Sequence, residues 1–508
     1  MVLFKIIETV LTIVLLSVAT GAIYRLYFHP LRHIPGPKLA ALTWWYEFYF
    51  DVIQPGQYVF QIKKLHQSYG PIIRITPDEL HVNDVGFLDT IYAPSTSRRD
   101  KYARNMKQLR VPGGIGSTVS FDLHKKRREA LAPFFSKRNV LYLEPLITGK
   151  VQQLCNLIAV SNAHTFMLTK YSMAENFLFA HEFNNLADEK KAALLCRNTY
   201  QLLRGVHRNK HLPWIPDILE KLPPSITKPM MPPGLVDMFA LFARVRAELV
   251  AIIAAKASGN TNKSLGPTGK ESVYDSVLDN ASLPESEKSL PRLQNEGALL
   301  VLAGTESPAK TLSIVFYNLI THPLILAQLR KELSTLLTNA TWTQLEQLPY
   351  LSAIIGEGNR LAFGVTARTA RISYEPLTYT PSQYASNPLK FSRSYIIPGG
   401  TPVSTTTLSA HTAESVFPDP FIFKPERWLG EDGRLLRKFR TAFGKGGRKC
   451  LGIELARTEL LLATAALVRK FELKLWNTDE REVAFVHDYQ VAHSNLDSKG
   501  IRVMVDIL

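Results

Sequence analysis

The pattern of hydrophobic and polar residues along the chain starts with one long apolar segment. Sixteen uncharged residues, Thr9 to Tyr24, separate Glu8 from Arg25. With the apolar residues on either side, this run approaches the ~20 residues that a membrane-spanning helix needs. More basic residues follow the run than precede it, and by the positive-inside rule the body of the protein then lies in the cytosol. The pattern predicts a single-pass N-terminal anchor over residues 1–28 and a cytosolic body over residues 29–508.

A cleaved secretory signal is the alternative interpretation of this run, with a small-residue cleavage site within SVATGA. Glycosylation motifs at Asn262, Asn280 and Asn339 favour secretion, but motifs of three residues often arise by chance. No cysteine pattern typical of a secreted disulfide scaffold follows. The next segment, HIPGPKLA, has prolines around a glycine and predicts a stiff connector between an anchor and a globular body.

Beyond the connector, the pattern predicts mostly helices with a few short strand pairs. Residues 61–69 suit a helix, and residues 72–75 and 79–83 suit a hairpin around a Thr-Pro-Asp turn. Further helices are predicted over 145–160, 186–206, 235–256, 296–320 and 324–338, and strands within 372–407. The polar stretch 258–290 predicts a surface loop. No repeat or shift in composition divides the body, so we expect one large domain.

Composition and charge exclude several classes of protein. Apolar residues make up 46% of the 508 residues and charged residues 20%, which excludes a disordered, fibrous or multi-span membrane protein. The net charge of +16 favours an acidic partner, an anionic membrane surface or nucleic acid. No recognised nucleic-acid motif accompanies the basic residues, so we expect no nucleic-acid partner.

The strongest chemical signal lies near the C-terminus, where residues 443–452 read FGKGGRKCLG. The segment fits F-x-x-G-x-R-x-C-x-G with Phe443, Gly446, Arg448, Cys450 and Gly452 in register. Glycines let backbone N–H groups approach the sulfur, and a helix that follows the cysteine places its positive end beside a thiolate. The alternative is a buried cysteine before an ordinary helix, the interpretation that we keep for Cys155 and Cys196, which lie in apolar helical stretches.

On this motif the chain resembles the cytochrome P450 superfamily. The resemblance implies the family's mainly α-helical fold with small β-sheets, here preceded by one transmembrane helix, and haem b with the Cys450 thiolate as its axial iron ligand. It also implies that Arg448 bonds to a haem propionate and that Phe443, Gly446 and Gly452 contact the cofactor. Upstream, His124 and Arg128 occupy positions where the family often has Trp-x-x-x-Arg against the propionates, and Arg371 is preferred to Arg368 for the second propionate.

A second segment carries the resemblance, Ala303-Gly304-Thr305-Glu306-Ser307, which is similar to the A-G-x-[DE]-[TS] segment of the long central P450 helix. Small residues at 303 and 304 allow the haem and dioxygen to approach the backbone. Glu306 and Ser307 then supply an acid and an alcohol for proton delivery, with serine where many members have threonine. Pro308 removes a helical hydrogen bond and predicts a kink. The alternative is a core helix with an incidental Glu-Ser pair.

Three charged residues in the family's order predict a structural cluster. Glu357 and Arg360 lie three apart on one helix face, and Arg427, in KPERW, completes the Glu-Arg-Arg set of the family. Because buried ions need full pairing, we assign them to the core and not to chemistry. Between them, Val365, Thr366 and Ala367 are candidate substrate contacts, together with residues around 110–120, 299–304 and 492–495.

Two surfaces suggest partners. Seven bases and no acid lie between Arg434 and Lys449, and Lys125, Lys126 and Arg127 add three more. We interpret this basic face as the docking site of an acidic flavin-domain reductase, with a solvated face as the alternative. Residues 211–224 are rich in Trp, Leu, Ile and Pro, and we interpret them as a lid that dips into the lipid bilayer, with a packed interhelix loop as the alternative.

The resemblance is nearest to fungal microsomal P450s of secondary metabolism, the trichodiene-oxygenase-like kind, through FHPLRHIPGPKLA, RREALAPFFSKRNV and E-x-x-R-L-x-F-G-V. It implies a haem-thiolate monooxygenase of the endoplasmic reticulum membrane that oxygenates an apolar terpenoid, polyketide or alkaloid. Electrons would come from NADPH through NADPH-cytochrome P450 reductase, with cytochrome b5 as a further candidate donor. The alternatives are a reductase-independent isomerase or dehydratase on the same fold and a non-catalytic membrane haem-binding protein.

Overall fold

A computed structural model describes residues 2–160, 166–167, 199–219, 221–227, 229, 233–258, 272–385 and 389–508. The N-terminal helix, Val2–Ile23, continues as a π-helical turn, Tyr24–Phe28, and no side chain of its apolar window is buried in the protein. It has the length and hydropathy of a membrane span. This exposure of apolar side chains is what an anchor over residues 1–28 requires.

The body is mainly helical. Its α-helices of ten residues or more are Tyr58–Tyr69, Phe121–Leu131, Lys137–Val160, Pro233–Ala257, Leu290–Thr321, Pro323–Leu333, Pro349–Ala362 and Ile453–Lys470. Shorter α-helices are Lys38–Leu42, Trp45–Phe48, Leu88–Ile91, Ala103–Met106, Val206–His211, Trp214–Leu219, Pro224–Thr227, Val273–Leu278, Trp342–Glu346, Thr407–His411 and Gly430–Leu436. The large core forms where Leu290–Thr321, the central helix, packs between Pro233–Ala257 and Pro349–Ala362 and beside Ile453–Lys470.

The strands form small sheets at the edge of the helical core. One sheet has five strands in the order Ile72–Arg74, Leu80–Val82, Pro402–Ser404, Arg371–Ile372 and Asp100–Lys101. A three-stranded sheet joins Phe166–Met167, Arg502–Ile507 and Phe471–Leu475, and two hairpins pair Leu377–Tyr379 with Tyr395–Ile397 and His487–Tyr489 with Val491–His493. In the five-stranded sheet Lys101 lies directly opposite Arg371 in antiparallel register.

Most predicted elements are present, with shifts that the local sequence explains. The hairpin pairs Ile72 with Val82 as expected. The central helix begins at Leu290 instead of 296, because Ser289 has extended N-cap geometry and a proline stands in the first turn. It continues as an α-helix through Pro308, so the predicted kink does not interrupt it. Within the predicted loop 258–290, a capping box at Ser272 starts a short helix, and the helix predicted to end at 338 ends at Leu333.

Several predictions from the sequence fall on residues outside those that the structure describes. The helix predicted over 186–206 lies mostly outside them, and so do Cys196, Asn262 and residues 259–271 of the predicted loop. Cys155 is a free cysteine with 1% of its surface exposed, and it packs in the large core. The interpretation of Cys155 as a core residue is confirmed.

Candidate active site

One large cavity, of about 650 Å³, lies between the central helix and the cysteine loop. Its wall is formed mostly by apolar side chains from the central helix, from Pro233–Ala257 and from the segments around residues 106–116 and 199–219. The lining residues include Phe443, Arg448, Cys450 and Gly452 from the cysteine loop, and Ala303, Glu306 and Ser307 from the central helix. The fold therefore brings together two motifs that are about 145 residues apart in sequence.

Cys450 lies at the end of a loop that presents its sulfur to this cavity. The loop is held by a hydrogen bond of 2.7 Å from the Cys450 backbone N–H to the Phe443 carbonyl. Burial raises the pKa of the thiol, whereas the backbone N–H of Gly452 and the charge of Arg128 act in the opposite direction. The following helix begins at Ile453, three residues later than the sequence suggested. An apolar pocket alone does not ionise this sulfur, so a thiolate here needs a cation such as a metal.

Gly446 has a different place from the one that the motif suggested. It does not line the cavity. Its φ of +69° lies in the left-handed region, and a Cβ atom would come within 2.2 Å of the carbonyl oxygens of Tyr92 and Ala93. Gly446 is therefore required for the close packing of the cysteine loop on the segment 92–93, and it does not contact the space where a cofactor would bind.

The wall of the cavity also carries several cations that have no carboxylate partner among the described residues. Lys101 and Arg371, opposite each other in the sheet, both line the cavity, and so do Arg448, His124 and Arg128. Arg448 donates to the carbonyl oxygens of Arg99, Thr118 and Val119, at 3.2, 2.7 and 2.7 Å. In the part of the chain that the structure describes, neither Lys101 nor the two arginines Arg371 and Arg448 forms an ion pair. Like charges opposite each other in a sheet are unfavourable, so this arrangement favours a bound anion.

The pKa values of the basic groups in the cavity wall are lowered, as expected where positive charges lie together without carboxylates. Burial lowers the pKa of Lys101 well below its usual value, and the neighbouring Arg371 and Arg448 lower it further. The pKa of Arg448 falls to about 10 for the same reasons. The pKa of His124 falls to about 2, through burial and then through Arg448, Lys101, Arg128 and Arg371. His124 is therefore a neutral ring beside four cations, able to donate one hydrogen bond.

These residues fit the haem that the resemblance implies. The cysteine sulfur in the cavity wall would serve as an iron ligand, and the cations of the same wall, which form no ion pairs among the described residues, would be partners for two propionates. Lys101 was not identified from the sequence, because only the strand pairing brings it next to Arg371. Arg368, the alternative for the second propionate, is instead buried in ion pairs with Glu47 and Glu79 and does not line the cavity. Of the two arginines, Arg371 is the one that lines the cavity, and its contact with the second propionate stays a prediction.

Glu306 and Ser307 lie on the cavity side of the central helix. Ser307 is exposed to the cavity, and its carbonyl accepts a hydrogen bond of 3.1 Å from Thr311 Oγ1. Burial raises the pKa of Glu306 to about 7, and the nearby Lys310 moderates this rise. A carboxyl group with a pKa near neutrality can both accept and donate a proton at physiological pH. Ala303 is exposed to the same space.

The predicted charge cluster is present outside the cavity, with both arginines bonded to Glu357. Glu357 and Arg360, both 0% exposed, form a bidentate pair of 2.8 Å in each bond. Arg427 and the Trp428 indole N–H also donate to the Glu357 carboxylate, at 3.2 and 2.9 Å. Arg360 additionally donates to the His411 carbonyl at 2.9 Å. None of the three charged residues lines the cavity, in agreement with a structural role.

The substrate side of the cavity corrects two predictions. Val365 and Ala367 line the cavity, but Thr366 is buried outside it, with its hydroxyl donating to Asp488 Oδ1 at 2.6 Å. The C-terminal turn reaches the cavity with Gln490 and Val491, not with residues 492–495. The sequence analysis did not place a hairpin turn at Gln490, which has a left-handed φ of +76°. This turn brings residues 490 and 491 to the cavity.

The two predicted surfaces are present in part. In the segment 211–224, Trp214 and Ile218 are more than half exposed while Pro216 and Leu219 line the cavity, as a lid requires. Six members of the basic face are exposed: Arg434, which pairs with the exposed Glu431, and Arg437, Lys438, Lys449, Lys125 and Lys126. The other members have partners inside the protein or face the cavity: Arg127 is buried in an ion pair with Glu287, Lys445 pairs with Asp89, Arg440 lies over the Trp428 ring, and Arg448 lines the cavity.

Comparisons with known proteins agree with this geometry. A family model described as Cytochrome P450 matches residues 37–487. The chain is 33% identical to cytochrome P450 monooxygenase MO6277 of Ascocoryne sarcoides, with 95% of both chains covered. It is 34% identical to cytochrome P450 monooxygenase TRI4 of Trichoderma arundinaceum, over 93% of this chain and 91% of the relative. Among solved structures, the retinoic acid-bound cyanobacterial CYP120A1 matches with a TM-score of 0.65 at 20% identity, over 88% of this chain and 94% of the other.

Proposed function

The chain belongs to the cytochrome P450 family and is similar to fungal secondary-metabolite monooxygenases, and from this premise we propose the specific reaction. We propose that the protein inserts one oxygen atom from O₂ into a C–H or C=C bond of an apolar small molecule, in the biosynthesis of a terpenoid, polyketide or alkaloid. The observation that carries the proposal is that Cys450 and the pair Glu306-Ser307 line one and the same largely apolar cavity.

In this proposal the cavity residues divide into two groups. Cys450 would hold the haem iron, and Lys101, His124, Arg128, Arg371 and Arg448 would hold its propionates. When bound, the haem supplies O₂ activation, with the thiolate as a strong electron donor. Phe443, Gly452 and the small Ala303 line the same cavity, whereas Gly446 acts by fixing the loop.

The second group moves protons and positions the substrate. Glu306, with its pKa near neutrality, takes up a proton and passes it towards Ser307, whose hydroxyl is exposed to the cavity. The apolar wall, including Leu299, Leu302 and Phe242, excludes water and binds an apolar substrate. These roles of individual residues support a monooxygenase more than an isomerase, which needs no proton delivery to oxygen.

The exposed surfaces support the proposed partners and location. Residues 1–28 would anchor the chain in the endoplasmic reticulum membrane, with residues 29–508 as one catalytic domain in the cytosol. The exposed side chains Trp214 and Ile218 would contact the same bilayer and admit an apolar substrate from it. The exposed bases of the basic face would receive NADPH-cytochrome P450 reductase, or cytochrome b5, by complementary charge.

The test is co-expression of the full chain with a P450 reductase, with matched variants of two cysteines. We expect NADPH-dependent O₂ consumption with an apolar substrate, and the Soret shift that a thiolate ligand gives the reduced, carbon monoxide-bound haem. Cys450→Ala should abolish both signals. Cys155→Ala, which shortens a buried side chain outside the cavity, should retain them.

Two results would separate the alternatives. Product formation without NADPH or reductase would indicate an isomerase or dehydratase on this fold. Haem binding without any turnover across a broad panel of terpenoids, polyketides and alkaloids would favour a non-catalytic haem protein. A spectrum unchanged by Cys450→Ala would contradict the proposed ligand itself.

A further inference from the structure

Lys310 is a partly buried cation on the central helix that the proposed chemistry does not yet use. It lies one helical turn after Glu306, and both side chains line the same cavity. Its Nζ donates to the Val483 carbonyl at 3.0 Å. Among the residues that the structure describes, no carboxylate lies within ion-pair distance of it. An ammonium group held in an apolar wall by one carbonyl is costly unless its charge has a function or a nearby counter-charge.

Glu306 is the counter-charge that acts on Lys310. Burial lowers the pKa of Lys310 to about 8, and the Glu306 carboxylate opposes this change. Conversely, burial raises the pKa of Glu306 to about 7, and the Lys310 ammonium opposes that change. The spacing of four residues places the two groups on one face of the helix, so each stabilises the charged form of the other.

The other titratable groups near this turn do not replace Lys310. His493, on the C-terminal hairpin, has a buried Nε2 with no described partner, and its pKa is lowered to about 3 by burial, then by Lys310, His487 and Arg204. It therefore stays neutral. Glu459, from Ile453–Lys470, lines the cavity, but burial alone raises its pKa, to about 8. From Pro349–Ala362, the side chain that reaches this turn is the uncharged Asn359, which contacts Thr311 at 3.4 Å.

We propose that Lys310 is a positioning residue for Glu306: its charge keeps the Glu306 carboxylate partly ionised, and so able to take up the proton that it passes towards Ser307. The inference deepens the proposed function and rests on it for the destination of the proton. Because the described carboxylates lie beyond ion-pair distance of Lys310, the ammonium acts on Glu306 through its charge and not by direct proton transfer.

The sign of the effect follows from the direction of the coupling. Without the ammonium, burial alone acts on Glu306, so the pKa of the carboxyl rises further. Glu306 then remains protonated over a wider range of pH and accepts a proton less readily. A neutral side chain of similar length at position 310 should therefore displace the titration of Glu306 to higher pH, and a permanent cation should not.

The experiment follows the carbonyl stretch of the protonated carboxylic acid by infrared difference spectroscopy, on the purified ferric holoprotein without substrate or reductase. Glu306→Gln identifies the band by removing it. We expect the midpoint of the band to rise by on the order of one pH unit, a tenfold change in acid constant, in Lys310→Met. Lys310→Arg should stay near the wild type, and Lys474→Met, at an exposed ion pair, is the matched control.

Equal midpoints in the wild type and in Lys310→Met would overturn the inference. If Lys310→Met does not accumulate, Lys310→Gln is used, and the reciprocal coupling gives an independent measurement. In Glu306→Gln, the pH midpoint for acylation of Lys310 by acetic anhydride, read by peptide mass spectrometry, should fall, because the amine loses its counter-charge. An unchanged midpoint in that experiment would also overturn the inference.

The two proposals fail in different ways. If the infrared titration behaves as expected but no reductase-dependent oxygenation is found, the coupling of Lys310 to Glu306 stands and the proposed function fails. If oxygenation is found, the pH dependence of product formed per NADPH should move in the same direction in Lys310→Met as the infrared band. Turnover whose pH dependence is identical in Lys310→Met and the wild type would contradict the effect of Lys310 on proton delivery by Glu306.

Discussion

Two groups of charged side chains lie in the interior, and they are satisfied in opposite ways. In the Glu357 cluster, formed by Glu357, Arg360, Arg427 and Trp428, the carboxylate accepts bonds from both arginines and the indole. The cavity cations, defined as Lys101, Arg128, Arg371 and Arg448, have no carboxylate partner among the described residues. A cluster whose charges are paired within the chain, here called closed, stabilises the fold. A group of cations without carboxylate partners, here called open, is suited to bind an anion from outside the chain.

The largest expected effect comes from breaking the closed cluster. Glu357→Gln removes the charge that compensates Arg360 and Arg427, and leaves buried guanidinium groups without a counter-ion. Loss of one partner of a buried pair typically costs ~3–5 kcal/mol. We expect the variant to accumulate poorly and to unfold at a lower denaturant concentration, as measured by circular dichroism.

The double variant Glu357→Leu with Arg360→Met is the control for this first prediction. Because it removes both members of the closest pair, it should be less destabilised than the sum of the single changes. Unfolding of Glu357→Gln at the wild-type midpoint would show that the cluster contributes little to stability.

The next largest effect is expected on haem retention, when one of the cavity cations is removed. Arg371→Leu removes a cation whose side chain lines the cavity and faces Lys101 across the sheet. A hydrogen bond to a charged group contributes ~1.5–3 kcal/mol, so haem should leave the variant roughly ten times faster or more. Transfer of haem to apomyoglobin measures this rate, and Arg371→Lys, which keeps the charge, should lie between the two.

Unlike Glu357→Gln, Arg371→Leu should not lower the stability of the fold. The pKa of Arg371 is lowered by burial, which means that the folded chain without an anion holds this charge at a cost. We therefore expect the haem-free form of Arg371→Leu to be at least as stable as haem-free wild type. A clear loss of stability without haem would place Arg371 with the structural residues instead.

A smaller effect is expected from pH. The pKa of His124 is lowered from 6.5 to about 2, so below pH 6.5 the unfolded chain binds a proton that the folded chain does not. Stability is therefore lost as the pH falls below 6.5, by up to ~1.4 kcal/mol per pH unit from this group. His124→Gln should reduce this acid slope of the unfolding free energy. Bound propionates should do the same by raising the pKa of His124, and equal slopes in wild type and variant would contradict the assignment.

The comparison also shows what the sequence could predict. Cys450 and the Glu357 cluster were predictable because each is encoded by a short motif in a fixed order. Lys101 was not, since it meets Arg371 only through strand pairing across 270 positions. Arg127 stands in a run of four bases, and only the direction of its helix face decides that it pairs with Glu287 inside the protein.

Local signals explain the errors in the elements. The start of the central helix at Leu290 was encoded by Ser289 and the proline that follows, but the apolar periodicity begins later and dominated the prediction. Thr366 lies between two residues that face the cavity. Its own orientation depends on a hydrogen bond to Asp488, a residue more than a hundred positions away. Such long-range contacts are not visible in a local pattern.

The smallest effect on stability is expected at the exposed end of the basic face, outside both groups. Arg434 and Glu431 form an ion pair whose side chains are 71% and 80% exposed, and such pairs contribute little. Arg434→Glu should therefore unfold like the wild type and retain its haem, yet raise the Michaelis constant for the reductase and weaken its dependence on salt, because long-range attraction to an acidic partner is reduced. Arg481→Glu, at an exposed pair away from the cysteine loop, is the matched control. Equal Michaelis constants for both variants and the wild type would mean that the reductase approaches another face. The positive charge that serves function would then be that of the cavity cations and not that of the surface bases.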